Sequence, residues 1–109
     1  MSDNVVNEML DREWTSTYTC HEFACEAWQK ITGECLESRL TAFLNGHGSF
    51  EKLSEPISPC ITHFQLNDRS STHVGLFFEG QILHLHLRNG QYVPLEDVML
   101  HFKEVSFYR

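Results

Sequence analysis

The chain contains four cysteines and seven histidines, residue types that can act as nucleophiles, bases or metal ligands. Cys20 directly follows Thr19, a typical helix N-cap residue, so we expect the cysteine at the first helical position. The free amide groups and the helix dipole at that position favour a thiolate and lower the pKa of a thiol. Cys20 is therefore the candidate nucleophile, whereas we interpret the other cysteines as small buried hydrophobic side chains: Cys25, Cys35 and Cys60.

Three of the histidines are predicted to share one face of a β-hairpin. With a two-residue turn at 79–80, Gly75 pairs with His84 and His73 with His86, and paired residues point to the same side of the sheet. Gly75 has no side chain, so His84 has room to lean towards His73. A three-residue turn would instead move both later histidines to the other face.

Two chemistries fit this pattern. In the first, His73 is the base that activates the Cys20 thiol, and a second histidine orients the base. In the second, His73, His84 and His86 bind zinc, with Cys20 as a fourth ligand. The alternative to both is that Cys20 only leads the buried stripe of its helix. The remaining histidines are interpreted as lone core histidines whose rings bond backbone carbonyls: His47, His63 and His101.

The elements that carry these residues are predicted as helices in the first half of the chain and strands in the second. A short helix or arm covers residues 4–10. The main helix begins after Thr19, where Glu22 completes a capping box, and it ends at Gly33. A second short helix is predicted over residues 36–44.

Alternating apolar residues and turn signals predict the strands. Helices followed by strands are typical of the α+β class, so we expect N-terminal helices packed on one face of a four- to five-stranded antiparallel sheet. Segments 46–60 and 67–72 are predicted as loops. The predicted strands cover residues 60–66, 73–78, 81–87, 91–93 and 103–108.

Length and composition describe one globular domain over residues 1–109, with 41% hydrophobic and 21% charged residues. Fifteen acidic against eight basic residues give a net charge of −7, which argues against a nucleic-acid or anionic-membrane surface. No apolar run approaches the roughly 20 residues of a membrane span. The first residues show no signal-peptide pattern, so we expect synthesis in the cytoplasm and reduced thiols.

Two segments resemble motifs of the NlpC-type cysteine peptidases, which have a compact papain-like α+β fold. The segment TYTCHEFACEAW, with Tyr18 two residues before Cys20, resembles the nucleophile helix of that family. The segment HVGLFFEGQILH resembles the family's H-V-G hairpin and contains His73 and His84. The resemblance covers residues 14–87 and has the cysteine before the histidines, as in the family.

The resemblance implies a role for each matched residue. Cys20 would be the nucleophile, His73 the base and His84 the polar third member, and no cofactor is expected. Tyr18 and the Cys20 amide would lie beside the developing oxyanion. His86 is the alternative third member, because the predicted register places it opposite His73.

Members of this family usually hydrolyse amide bonds in peptidoglycan stem peptides through a thioacyl-enzyme, and the resemblance implies the same activity here. Small members without a signal peptide are similar to components of bacteriophage tails. The resemblance therefore implies peptidoglycan peptides as substrate, tail proteins as partners and a virion tail as a second location. The alternatives are a non-catalytic tail-assembly or binding protein that keeps the fold, and a small zinc-binding domain.

Overall fold

The computed structural model describes residues 2–46, 50–65, 73–86 and 88–109, and within these ranges the chain forms four helices. None of them is long and apolar enough to cross a membrane. The first three confirm the predicted helices, whereas the short α4 was not predicted. The helices are α1 (Ser2–Leu10), α2 (Cys20–Thr32), α3 (Glu37–Leu44) and α4 (Leu95–Val98). Four predicted features lie outside the described residues: His47, the strand ends Leu66 and Leu87, and the loop 67–72.

Helix α2 begins at Cys20, and the capping box predicted for Thr19 and Glu22 is present at its first turn. The Glu22 carboxylate accepts a hydrogen bond of 2.7 Å from the backbone amide of Thr19, the N-cap residue. Gly33 ends the helix in a left-handed conformation with φ of 79°, and its amide bonds the carbonyl oxygen of Gln29. The predicted start and end of this helix are both confirmed.

The strands of the described chain form one six-stranded antiparallel sheet, in the order β1-β6-β2-β3-β4-β5. The α+β class is confirmed, but the sheet has more strands than the four or five expected. The additional strand, β1, lies in a segment predicted as loop and pairs with β6. The strands are β1 (Lys52–Leu53), β2 (Cys60–Gln65), β3 (His73–Phe78), β4 (Gln81–His86), β5 (Asn89–Val93) and β6 (Glu104–Tyr108).

The sheet separates two clusters of buried side chains. Helices α1, α2 and α3 pack on one face, the helix face, which includes Val74 and Leu76 of β3. The opposite face, the imidazole face, buries Phe64, Ile82 and Val98 beneath α4 and the segment that follows it. The expectation that the N-terminal helices pack on one face is confirmed, and the unpredicted α4 covers the other face. Alternate residues of a strand point to opposite faces, so His73 lies on the imidazole face and Val74 on the helix face.

The β3–β4 hairpin has the predicted register. Gly75 pairs with His84, and Phe78 pairs with Gln81, so the turn consists of Glu79 and Gly80. Both turn residues have positive φ, 49° and 90° respectively, the backbone pattern of a type I′ turn. This turn is compatible with the twist of the flanking strands and fixes which side chains point to the imidazole face.

The four cysteines are free, but they differ in exposure. Cys60 is buried in β2, as predicted, and Cys25 is half-buried beside the helix-face core. Cys35 is exposed, so its interpretation as a buried hydrophobic residue is wrong. It falls in the connection between α2 and α3.

Candidate active site

The central feature of the imidazole face is a hydrogen bond between two histidines of adjacent strands. Nε2 of His73 lies 2.8 Å from Nδ1 of His84. Gly75 makes room for this contact, because a Cβ atom at that position would lie 2.8 Å from Cβ of His84. The absence of a side chain at Gly75 therefore allows His84 to lean towards His73, as the sequence predicted.

His86 completes a cluster of three imidazoles on the same face. Its ring centroid lies 5.7 Å from that of His73 and 5.2 Å from that of His84. One ligand nitrogen from each of the three histidines lies within 4.8 Å of the other two. His84 is the one that hydrogen-bonds His73, so of the two candidates for the orienting role the geometry favours His84 over His86.

Burial lowers the pKa of each of these imidazoles. Phe102 stacks on His73 at a centroid distance of 5.2 Å, and Phe64 lies 5.8 Å from the same ring. Burial, with a smaller contribution from the charge of His86, lowers the pKa of His73 to about 4. Burial and the neighbouring His73 lower the pKa of His84 to about 3. Both rings are therefore neutral at pH 7, the form in which an imidazole can accept a proton or bind a metal.

Cys20 occupies the predicted first position of α2, but its thiol is not acidified. Burial raises the pKa of the Cys20 thiol and outweighs the amides of Cys20 and His21, which favour the thiolate. The backbone amide of Val74 also donates to the sulfur and acts in the same direction as those amides. The expected lowering of the pKa is therefore wrong, because the side chain is desolvated between α2 and β3.

Cys20 and His73 both lie at the beginning of β3. The amide of Val74, the residue that follows His73, donates a hydrogen bond to the Cys20 sulfur. The His73 ring stands on the imidazole face against Phe102. Within the described ranges no hydrogen bond joins the thiol to the imidazole. The structure thus brings the two histidines together, and it places the thiol beside the same peptide unit without a direct bond to the base.

Tyr18 has a different partner from the one that the resemblance implies. Its hydroxyl donates a short hydrogen bond to the Glu26 carboxylate, which also pairs with Arg12 at 2.5 Å. Hydrogen bonds from Arg12, and then from Tyr18, lower the pKa of Glu26 to about 2, although burial opposes the shift. The single donor hydrogen of the phenol is thereby committed to Glu26. In this arrangement it is not available to an oxyanion beside Cys20.

His101 is a further residue of this region that the sequence did not identify. It was interpreted as a core histidine, but it is exposed, and its ring centroid lies 4.9 Å from that of His86. It follows α4, an element that was not predicted. Its proximity to β4 depends on how α4 folds back over the sheet, and no local pattern in the sequence indicates this contact.

No protein-family model, curated protein or solved structure matches the chain. Function is therefore inferred from the geometry of the imidazole face and from the resemblance of the two motifs.

Proposed function

We propose that this protein is a cysteine hydrolase with a papain-like fold, in which Cys20 is the nucleophile, His73 the base and His84 the residue that orients the base. The observation that carries this proposal is the 2.8 Å hydrogen bond between Nε2 of His73 and Nδ1 of His84. It leaves Nδ1 of His73 without a hydrogen-bond partner among the described residues, at the beginning of β3, where the Cys20 sulfur bonds the next amide, that of Val74. A base fixed through one nitrogen and free at the other is what an activated nucleophile requires.

The resting pair is a neutral thiol and a neutral imidazole, because burial raises the pKa of Cys20 and lowers that of His73. The reaction begins when the thiol proton passes to Nδ1 of His73 while the sulfur bonds the substrate carbonyl carbon. This transfer requires the Cys20 sulfur to leave the Val74 amide and approach that nitrogen. Backbone amides at the start of α2, including that of Cys20, stabilise the oxyanion.

The second half of the reaction returns both groups to their starting state. The carbon–nitrogen bond breaks as Nδ1 of His73 protonates the leaving amine, which gives a thioacyl-enzyme on Cys20. Water then attacks the thioester and transfers a proton to the same nitrogen. The carboxylic acid leaves, and the sulfur takes the proton back. Throughout, Nε2–H of His73 donates its hydrogen bond to Nδ1 of His84, which keeps the His73 ring in the required tautomer.

More particularly, we propose an NlpC-type peptidase that hydrolyses an amide bond of peptidoglycan stem peptides as a component of a bacteriophage tail. The support is the resemblance of the Cys20 and His73 motifs, together with the hydrogen bond that joins the two matched histidines. The net charge of −7 is compatible with a substrate that is not a polyanion such as a nucleic acid.

The test is hydrolysis of purified peptidoglycan, with released peptides identified by mass spectrometry. We expect release by the wild type and by His63→Gln, a histidine on the helix face that packs against Phe43. We expect a loss of at least about 10²-fold in Cys20→Ser and His73→Gln. Acid quenching should trap a wild-type species whose added mass is on the peptide that contains Cys20. A folded wild type that releases nothing and forms no adduct would overturn the hydrolase and favour the assembly protein.

A further inference from the structure

A cavity of about 570 Å³ lies at the edge of the sheet, where the segment that precedes α2 runs beside β5. It is lined by Glu13 and Trp14 from that segment and by Arg88 and Asn89 where β5 begins. Its volume falls within the roughly 300–1,000 Å³ of pockets that hold small organic ligands. None of these four lining residues takes part in the reaction proposed above.

The aromatic wall of this cavity is open to a ligand. Trp14 is 51% exposed, although tryptophan is a residue that folded proteins bury to a high degree on average. Its indole makes no ring contact, cation–π contact or hydrogen bond with another residue of the described ranges. The face of the ring is therefore available for stacking.

Backbone pairing holds the two walls of the cavity together. The Trp14 amide donates a hydrogen bond of 2.8 Å to the carbonyl oxygen of Arg88. Next to this bond, Glu13 and Asn89 form an antiparallel bridge, so the segment before α2 is attached to the edge of the sheet. A site whose walls are fixed before binding loses less conformational entropy when a ligand enters.

The side chains around the indole suit an uncharged ligand with several hydroxyl groups. Glu13 and Arg88 have opposite formal charges, so together they favour neither an anion nor a cation. A carboxylate only accepts hydrogen bonds, a guanidinium only donates them, and the amide of Asn89 does both, as each hydroxyl group of a sugar does. The C–H groups on the face of a sugar ring are attracted to the electron-rich face of an indole.

We propose that this cavity binds a sugar ring of an oligosaccharide, which stacks on Trp14 and is hydrogen-bonded by Glu13, Arg88 and Asn89. A nucleotide is the other common ligand that stacks on an aromatic ring beside an arginine. The Glu13 carboxylate lines the same cavity and would repel the phosphate groups of a nucleotide, so the lining favours the sugar.

The place of the cavity in the fold names the oligosaccharide, and this step rests on the proposed function. Asn89 pairs with His86 at the end of β4, which is the end of the sheet where β3 begins. Trp14 is joined to Cys20 by a tight turn at 15–18 that backbone hydrogen bonds close. In peptidoglycan the stem peptides are attached to a glycan strand. A sugar of that strand would occupy the cavity while the attached peptide reaches Cys20.

Binding is tested by titrating the protein with a soluble tetrasaccharide of N-acetylglucosamine and recording the indole N–H signals by NMR. The chain has two tryptophans, and Trp28 is an internal control because it is 3% exposed and bonds Glu34. We expect a saturable shift of the Trp14 signal and none of the Trp28 signal.

Variants of the lining residues, followed by calorimetry, should weaken binding in a fixed order. The dissociation constant should rise at least about 10-fold in Trp14→Ala, less in Trp14→Phe, which keeps an aromatic ring, and about 5–10-fold in Arg88→Gln. Leu100→Ala is the matched control, because it removes an 83% exposed apolar side chain that does not line the cavity. It should bind as the wild type does.

The outcomes that overturn this site are distinct from a failure of the hydrolase. Absence of a saturable shift of Trp14, or an unchanged dissociation constant in Trp14→Ala, rejects it. Tighter binding of a mononucleotide than of the tetrasaccharide also rejects it. The tetrasaccharide carries no stem peptide, so Cys20→Ser should bind it like the wild type whether or not the protein is a hydrolase.

The connection with hydrolysis has its own readout. If the protein hydrolyses peptidoglycan, Trp14→Ala should raise KM for the intact polymer several-fold, and this rise should be absent with stem peptides freed from the glycan. An equal change with both substrates would contradict a role of the cavity in holding the strand. If no hydrolysis is found, the titration with the tetrasaccharide still decides on the sugar site.

Discussion

His73 and His84 are joined by a hydrogen bond of 2.8 Å between Nε2 of the first and Nδ1 of the second, across a hairpin that separates them by 11 positions. The contact depends on the two-residue turn, which puts both rings on one face, and on Gly75, which lets one ring lean towards the other. The two ring nitrogens outside this hydrogen bond are Nδ1 of His73 and Nε2 of His84. His73 begins β3, next to Val74, whose amide bonds the Cys20 sulfur, and Nε2 of His84 is buried beside a cavity at α4.

The neutral, buried state of His84 should make stability depend on pH. Its pKa is about 3 in the folded protein and near the ordinary value of about 6.5 when unfolded, so the unfolded state binds the proton first as the pH falls. The stabilisation is complete above about pH 6.5 and is lost between that value and about pH 3. We expect chemical denaturation with a chelator present to show a loss on the order of 3 kcal/mol from pH 7 to pH 4.

The matched comparison for that experiment is His84→Gln, which removes the titrating ring but keeps a polar side chain. Its free energy of unfolding should change less over the same pH range than that of the wild type. An equal pH dependence in the two proteins would show that other groups cause the loss.

Gly75→Ala should disrupt the histidine pair. The added Cβ would lie 2.8 Å from Cβ of His84 and 3.2 Å from Oγ1 of Thr62, so His84 has to move. We expect a loss of about 1–3 kcal/mol in stability, as for other overpacked sites, together with loss of hydrolysis. Circular dichroism and thermal unfolding separate a folded variant that has lost the pair from one that has lost its fold. Preserved hydrolysis in a folded Gly75→Ala variant would contradict the role of the pair.

The thiols should differ in their reaction with iodoacetamide when each site is followed by mass spectrometry against pH. The exposed Cys35 should react first, and the buried Cys60 last. Cys20 should react slowly at pH 7 because burial raises the pKa of its thiol, and its rate should rise in alkaline buffer. Fast reaction of Cys20 well below pH 8 that is lost in His73→Ala would instead show a resting thiolate–imidazolium pair and contradict the neutral pair proposed here.

Tyr18→Phe tests whether the Tyr18 hydroxyl only stabilises the fold through Glu26 or also donates a hydrogen bond to the oxyanion. Because the hydroxyl bonds Glu26, we expect the variant to lose about 1 kcal/mol of stability and to keep its hydrolysis rate within a few-fold. A double-mutant cycle with Glu26→Gln should show that the two residues are coupled. A fall in kcat of about 10²-fold without a change in stability would restore the role beside the oxyanion that the family resemblance implies.

The order of the elements and the register of the hairpin were predictable because they depend on local rules. Thr19 and Glu22 mark the start of α2, and the turn at 79–80 sets the pairing of Gly75 with His84. The two-residue β1 was missed because its partner, β6, lies at the other end of the chain. A strand of that length carries no recognisable alternation of its own.

The electrostatics of the site could not be predicted from the same rules. The position of Cys20 at a helix start indicates an acidified thiol, but the packing of α2 against β3 desolvates it and raises its pKa. His101 likewise becomes a neighbour of His86 only through the fold of α4. Such effects arise from contacts between elements distant in sequence, which neither periodicity nor motif spacing records.

The strand order of the sheet determines which strands can unfold locally and which exchange their amides only on global unfolding. β3 and β4 each have a hydrogen-bonded neighbour on both sides, whereas β1 and β5 form the edges. Amide hydrogen exchange in β3 and β4 should therefore be among the slowest in the protein and require global unfolding, while the edge strands exchange through local fraying. Local opening of β5 and α4 would therefore uncover the cavity at α4, beside His86, while β3 stays paired with both of its neighbours. We expect the backbone that holds His73 to be preserved in such openings.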